Sequence, residues 1–67
     1  MNWDDTDEIG IALYQAYPEI DPLSVRFTDL LRMILSMPDF EGKEEESNEG
    51  QLEGIQMAWL EEFRDHQ

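Results

Sequence analysis

Two prolines, Pro18 and Pro22, divide the N-terminal half of this sequence into two helices. A proline fixes its own φ angle, removes one backbone N–H, and pushes the preceding residue away from helical dihedrals. A helix that approaches Pro18 therefore ends before it, and no helix can run through Pro22. We expect the segment Asp21–Leu30 to be the joint about which two helices are arranged.

The joint contains predicted signals for capping and for ion pairing. Thr28 is placed to cap a second helix that begins at Asp29, because a threonine hydroxyl accepts hydrogen bonds from the first helical turn. Arg26 is one of only 4 basic residues in the chain. We expect its guanidinium to pair with acidic neighbours, which are Glu19, Asp21 and Asp29.

The residues before Pro18 have the pattern of an amphipathic first helix. Asp5 at the cap position and Glu8 three residues later predict a capping box. Apolar residues follow at helical spacing: Ile9, Ala12, Leu13, Ala16 and Tyr17. Trp3 precedes the cap, where it can fold back over the helix or pair in extended form with Val25–Phe27.

The second predicted helix carries Leu30, Ile34 and Met37 on one face and is expected to end at Pro38. The charged segment Asp39–Glu46 follows, and two interpretations of it stand side by side. It is a solvated loop that Phe40 anchors to the body, or it contacts a metal ion or a partner.

The third and longest predicted helix begins at Ser47 or Asn48, with Asn48 and Gln51 forming a capping box. Its apolar stripe consists of Leu52, Ile55, Trp59 and Phe63. This stripe is either core or a groove for a partner. We favour core, because exposing these aromatic rings would forfeit burial that is worth ~25 cal/mol per Å².

These elements predict one mainly α domain over residues 1–67, a small orthogonal arrangement of three helices. At most, a short extended pairing is expected near Trp3 and Val25–Phe27. A chain of this size buries only about 60% of the surface that its unfolded form exposes. With 40% hydrophobic residues, the sequence still supplies enough apolar side chains for a core.

Charge restricts the partners of such a domain. The chain has 17 acidic and 4 basic residues, a net charge of −13, so it repels phosphate backbones and anionic lipid heads. Nucleic acids and membranes are therefore not expected partners, whereas cationic protein surfaces and metal ions are. The chain contains no cysteine, which favours an intracellular, cytoplasmic location.

Catalytic residues are scarce in this sequence. The chain has no cysteine nucleophile and no phosphate-binding glycine loop, and its single histidine, His66, is the penultimate residue. We expect His66 to be exposed on a fraying tail and the protein to be no enzyme.

Carboxylates form the one constellation with possible chemistry. Asp4, Asp7 and Glu8 share one side of the first helical turn, and Asp5 lies beside them at the cap. Four such oxygen donors suit a hard divalent ion, held weakly and partly hydrated. The alternative is purely structural, because acidic residues at a helix N-terminus complement the macrodipole. A second acidic surface is expected where Glu19, the joint and the start of the second helix meet.

Several stretches together resemble the IscX family, also called YfhJ. The resemblance runs almost end to end and is most specific in its centre, Tyr-Pro-x-x-Asp-Pro-x-x-Val-Arg-Phe-Thr-Asp, at residues 17–29. The other matching residues are Trp3, Asp5, Glu8-Ile9-Gly10, Ala12-Leu13-Tyr14, Ala16, Phe40, Ser47-Asn48-Glu49 and Trp59-Leu60. The resemblance implies a winged-helix-like fold and a small acidic bacterial protein of iron-sulfur cluster assembly.

The resemblance also implies partners. Members of the family bind the cysteine desulfurase IscS through an acidic face, bind ferrous iron weakly, and act as adaptors or regulators of the desulfurase. They can modulate the brake that the frataxin homologue applies, and they compete with ferredoxin for the same basic surface. No tightly bound cofactor is implied. The alternatives are an iron donor for the cluster scaffold and a generic acidic interaction module or nucleic-acid mimic.

The site residues carry over position by position. Asp5, Glu8, Asp21 and Asp29 match acidic positions of the family and, with Glu19 added from the second acidic surface, are the predicted partner-binding residues. Asp4 and Asp7 match no fixed acidic position, so they belong to the predicted metal set alone. This chain departs from the family at two further positions, Met33 in place of a tryptophan and Leu35 in place of a cysteine found in some members.

Overall fold

Three α-helices and two short 3₁₀ turns make up the computed structural model, which describes residues 1–67. The helices are α1 (Thr6–Ala16), α2 (Phe27–Leu35) and α3 (Glu49–Asp65), and the 3₁₀ turns span Pro22–Ser24 and Glu44–Glu46. There is no strand, so the predicted small, mainly α three-helix domain is confirmed and Trp3 makes no extended pairing with Val25–Phe27. No helix combines the length and hydrophobicity needed to cross a bilayer.

The first helix ends where the prolines require but begins without the predicted capping box. It stops at Ala16, and the Tyr17 N–H closes the last turn on the Leu13 carbonyl at 2.8 Å. The predicted capping box of Asp5 with Glu8 is wrong, because the Asp5 side chain accepts no hydrogen bond from the first turn of the helix. The Asp5 carboxylate instead accepts from the Asn2 N–H at 3.0 Å, because it closes the turn that leads into the helix.

The joint is tighter than the sequence suggested, and α2 therefore starts two residues early. The Asp21 carboxylate accepts from the Leu23 N–H at 3.0 Å and caps the 3₁₀ turn Pro22–Ser24. Two residues after this turn, α2 begins at Phe27. The Leu30 N–H already bonds the Arg26 carbonyl at 2.8 Å. The prediction that Thr28 caps a helix beginning at Asp29 is wrong for this reason.

Ion pairs do not hold the joint together. The one side-chain ion pair in the structure joins His66 to Glu62 at 3.7 Å, and it requires a protonated imidazole. The predicted pairing of Arg26 with its acidic neighbours is therefore wrong. Hydrogen bonds from a neutral side chain connect the joint to α3 instead. The Gln56 side-chain amide donates to the Pro22 and Val25 carbonyls at 3.0 and 3.3 Å.

The core lies between the helices and is built from the predicted apolar stripes. Its buried members are Trp3, Ile9, Leu13, Leu30, Ile34, Leu52, Ile55 and Trp59. Phe63 is only half-buried and lies outside this cluster. The capping box of Asn48 with Gln51 is confirmed, with the Asn48 oxygen accepting from the Gln51 N–H at 2.9 Å.

Helices α1 and α3 run side by side in the same direction. Thr6 lies beside Gly54 near their starts, and Tyr14 stacks on His66 near their ends. Between these points the backbones approach closely at Gly10. A β-carbon there would lie 2.8 Å from the Ala58 carbonyl carbon and the Trp59 nitrogen, so only glycine fits without separating the helices.

The segment before α1 is fastened to the loop between α2 and α3. The Trp3 indole N–H donates to the Lys43 carbonyl at 2.8 Å. The Trp3 ring packs edge-to-face with the Phe40 ring, with the ring centroids 4.8 Å apart. A β-carbon on Gly42 would lie 2.7 Å from the Trp3 indole nitrogen, so the loop lies directly over this ring. The predicted anchoring of the loop by Phe40 is confirmed, because Phe40 packs against the Trp3 ring.

Candidate functional site

Four carboxylates gather at the start of α1. Asp4 and Asp5 precede the helix, and Asp7 and Glu8 occupy its first turn. With Thr6 they line a shallow depression of about 330 Å³ that contains no hydrophobic residue. We call the four carboxylates the N-terminal acidic surface. The predicted clustering of these four residues is therefore present in the folded chain.

The carboxylates of this surface are almost free of protein partners. Only Asp5 accepts a hydrogen bond, from Asn2, and none of the four forms an ion pair. The Asn2 side-chain oxygen accepts from the Asp4 backbone N–H at 3.1 Å, which orders the approach to the helix. Asp4, Asp7 and Glu8 are exposed, so their negative charge is available to an incoming cation.

Metal binding at this surface stays a prediction. No group of three or more aspartate, glutamate or histidine side chains is arranged so that it could hold a metal ion. The helix macrodipole by itself accounts for carboxylates in a first turn. Side chains at this surface would have to rotate to share an ion, and a site assembled in that way binds weakly.

The second set of predicted partner residues lies elsewhere. Glu19 is in the turn after α1, Asp21 is tied to the Leu23 N–H, and Asp29 is exposed in the first turn of α2. α1 has 11 residues. Eight of these residues follow Glu8, so at 1.5 Å per residue about 12 Å of helix lies between Glu8 and the turn that holds Glu19. The predicted partner-binding residues therefore form two groups, not one cluster.

The single histidine makes an aromatic contact that the sequence did not predict. His66 is exposed but stacks on the Tyr14 ring, with ring centroids 4.5 Å apart and planes inclined by 15°. Its Nε2 atom is 3.7 Å from a Glu62 oxygen. The predicted exposure of His66 is confirmed, and the aromatic contact joins the end of α3 to α1, while fraying of the tail stays a prediction.

Sequence reasoning missed an apolar surface on the outer side of α1 and α3. Ile11 and Met57 are 40% and 52% exposed there. A signal was available for α1, because Ile11 falls outside the apolar stripe that predicted the core. Isolated exposed hydrophobic residues are common on protein surfaces, so this signal had no weight until the fold placed Ile11 and Met57 in adjoining depressions.

Two comparisons relate almost the whole chain to known proteins. A family model described as iron-sulphur cluster assembly matches residues 1–64. The chain is also similar to an uncharacterized protein of Pseudomonas aeruginosa, with 44% identity over 62 residues that cover 92% of this chain and 94% of the relative.

Proposed function

Because the chain belongs to the iron-sulphur cluster assembly family, the IscX/YfhJ family, we propose that it is a cytoplasmic, non-catalytic adaptor that regulates a cysteine desulfurase of the IscS type. The observation that carries this proposal is the N-terminal acidic surface, whose carboxylates have no ion pairs and no hydrophobic residue among them. Charges left unpaired within a protein are available to a partner of opposite charge. A basic patch on the desulfurase is the expected counterpart.

Docking of this kind is electrostatic, and its consequences are specific. A net charge of −13 attracts a cationic surface over a distance that salt shortens, to about 10 Å at 0.1 M. Ferredoxin and the frataxin homologue would compete wherever they use the same basic patch. The chain has no cysteine, so it offers no thiol for sulfur transfer, and its one histidine stacks on Tyr14.

The test is binding to purified IscS at low and high salt. Charge reversal by Asp5→Lys or Glu8→Lys should weaken binding at low salt, and both variants should keep the helical circular dichroism of the parent chain. Glu45→Lys makes the same change of charge in the exposed 3₁₀ turn Glu44–Glu46 and is the matched control. Equal binding by all three variants, or binding that salt does not affect, would contradict the proposal.

The same surface supports a second proposal, weak binding of ferrous iron by Asp4, Asp5, Asp7 and Glu8. Their oxygens are hard donors in one depression of about 330 Å³. Titration with ferrous iron in excess magnesium, followed by NMR, separates a preference for iron from general attraction of cations. A preference would favour delivery of iron to the cluster scaffold, and its absence would leave the adaptor role alone.

Turnover of the desulfurase measures the regulation itself. The rate of sulfide production is followed with and without this protein, across a range of protein and iron concentrations. A change in rate that disappears in high salt, and that Glu8→Lys also removes, would connect regulation to the N-terminal acidic surface. A generic acidic interaction module would instead bind unrelated basic proteins equally well.

A further inference from the structure

Two shallow depressions run along the outer side of the contact between α1 and α3. Their volumes are about 480 and 210 Å³. Asp7, Ala58 and Glu61 line both of them, so the two depressions form one continuous surface. We call it the α1–α3 groove. It shares only Asp7 with the N-terminal acidic surface, so it is a separate feature of the molecule.

The groove exposes apolar side chains that the fold leaves uncovered. The exposed large hydrophobic residues of the chain are Ile11, Leu23 and Met57, at 40%, 58% and 52% exposure. Two of the three, Ile11 and Met57, line this groove. Ile11 and Met57 lie in adjoining depressions that share Asp7, Ala58 and Glu61, so one bound segment can contact both side chains. Methionine is suited to such a site, because its flexible thioether adapts to different apolar partners.

Small residues give the groove its depth. Gly54 and Ala58 lie one helical turn apart on α3, beside Met57 and above the buried Leu60. A β-carbon on Gly54 would meet only a Thr6 methyl group, at 3.6 Å, so the helix surface here is open. An incoming side chain can therefore reach the α3 backbone next to Met57.

The rim of the groove selects the charge of its occupant. Its acidic side chains outnumber its single basic one, Arg64, by four to one: Asp7, Glu61, Glu62 and Asp65. Glu62 has one possible ion-pair partner, His66, and the other three acidic side chains have none. A partner with basic residues around an apolar one matches both the floor and the rim.

We propose that the α1–α3 groove docks a cationic segment of a partner protein, which inserts one apolar side chain beside Met57. This surface differs from the N-terminal acidic surface in kind. Docking there depends on charge alone, whereas docking in the groove also buries apolar area and so persists in part at high salt. One small chain could then hold two partners, or hold one partner at two places.

The experiment uses two synthetic peptides of equal length and charge. The first carries lysines flanking two leucines one helical turn apart, and the second has serines in place of the leucines. Each is titrated into the isotopically labelled full chain and followed by NMR. The leucine peptide should shift the amides of residues 57–61 and bind about tenfold more tightly, since burying one leucine is sufficient for that factor.

Variants then locate the effect. Met57→Ser should reduce the difference between the peptides to about twofold or less, and Ile11→Ser should reduce it partly. Leu23→Ser removes an equally exposed apolar residue outside the groove and should leave the difference intact. All three positions are exposed, so the variants should keep the dispersed spectrum of the folded chain.

Three results would overturn the proposal. The two peptides could bind equally, Leu23→Ser could act as strongly as Met57→Ser, or the groove resonances could move with protein concentration alone. The last result would identify an interface between copies of this chain. No desulfurase enters the assay, so failure of the proposed function and failure of this inference are distinguishable.

Discussion

The two sides of α1 differ in packing, charge and tolerance to change. On the inner side Ile9, Gly10 and Leu13 are buried, and the α3 backbone lies so close that Gly10 has no room for a β-carbon. On the outer side Asp7 and Glu8 are exposed and have no hydrogen-bond or ion-pair partner in the chain. One helix thus serves two purposes with separate sets of residues.

The difference shows that stability and recognition depend on different interactions in this molecule. Apolar packing and a few neutral hydrogen bonds account for the core and the joint. The Asp7 and Glu8 carboxylates have no hydrogen-bond or ion-pair partner, so mutual repulsion opposes their attraction to the helix macrodipole and their net contribution to stability is small. Changes on the inner side should therefore unfold the protein, and changes on the outer side should leave it folded but alter what it binds.

The largest effect is expected at the centre of the inner side. Trp59 is fully buried, with its backbone beside Gly10 and its ring near Tyr17, so Trp59→Ala should lower the free energy of unfolding by about 3–5 kcal/mol. Urea denaturation followed by circular dichroism measures the loss. Trp59→Phe should lower the free energy of unfolding by less. The phenyl ring still fills part of the space, and the substitution removes a buried indole N–H that has no hydrogen-bond partner in the structure. If Trp59→Ala lost less unfolding free energy than Trp59→Phe, the close packing of Trp59 in the core would be contradicted.

A smaller effect, with an informative sign, is expected from two glycines. Gly10→Ala forces a methyl group against the α3 backbone, and overpacking of this kind costs roughly 1–3 kcal/mol, more than the ~1 kcal/mol gained in helix propensity. Gly54→Ala meets only a methyl group at 3.6 Å and should stabilise the chain by up to ~1 kcal/mol. Thermal unfolding of the two variants provides the comparison. Stabilisation by both substitutions would show that α1 and α3 are less closely packed.

The inner side was largely predictable from the sequence, because apolar spacing and prolines act locally. Ile9, Leu13, Ile55 and Trp59 were all placed in the core by helical periodicity, and Pro18 fixed the end of α1 within two residues. The errors came from side chains that could bond in more than one direction. Asp5 bonded backward to Asn2, and Asp21 closed a 3₁₀ turn that brought forward the start of α2.

The outer side was only partly predictable. The clustering of Asp4, Asp5, Asp7 and Glu8 follows from a single helical turn, so the sequence was sufficient to predict it. The α1–α3 groove depends on which faces of two distant helices meet, and Ile11 and Met57 are 46 positions apart in the chain. No local pattern contains that information, because it arises only when the helices pack.

The N-termini of α1 and α3 differ, because a side-chain cap forms at α3 and none forms at α1. Asn48→Ala removes a reciprocal capping box and should cost about 1 kcal/mol of unfolding free energy. Asp5→Ala removes a carboxylate that bonds the preceding turn and caps no helical N–H, so its cost should be smaller. Urea denaturation of both variants measures the difference. A larger loss for Asp5→Ala would mean that the turn at Asn2 stabilises the fold more than the box does.

The smallest effect on stability, joined to a clear effect on binding, is expected on the outer side of α1. Glu8→Gln removes one charge from the N-terminal acidic surface and changes the free energy of unfolding by less than about 0.5 kcal/mol, because lost macrodipole attraction and relieved repulsion oppose each other. The same variant should bind the desulfurase more weakly at low salt and show a shallower dependence of affinity on salt. Glu45→Gln, in the exposed 3₁₀ turn, should leave both quantities unchanged. Calorimetric titration at several salt concentrations, beside a thermal melt, measures affinity and stability on the same samples. If Glu8→Gln unfolded the chain, or weakened binding only as much as Glu45→Gln does, the separation of stability from recognition along this helix would be lost.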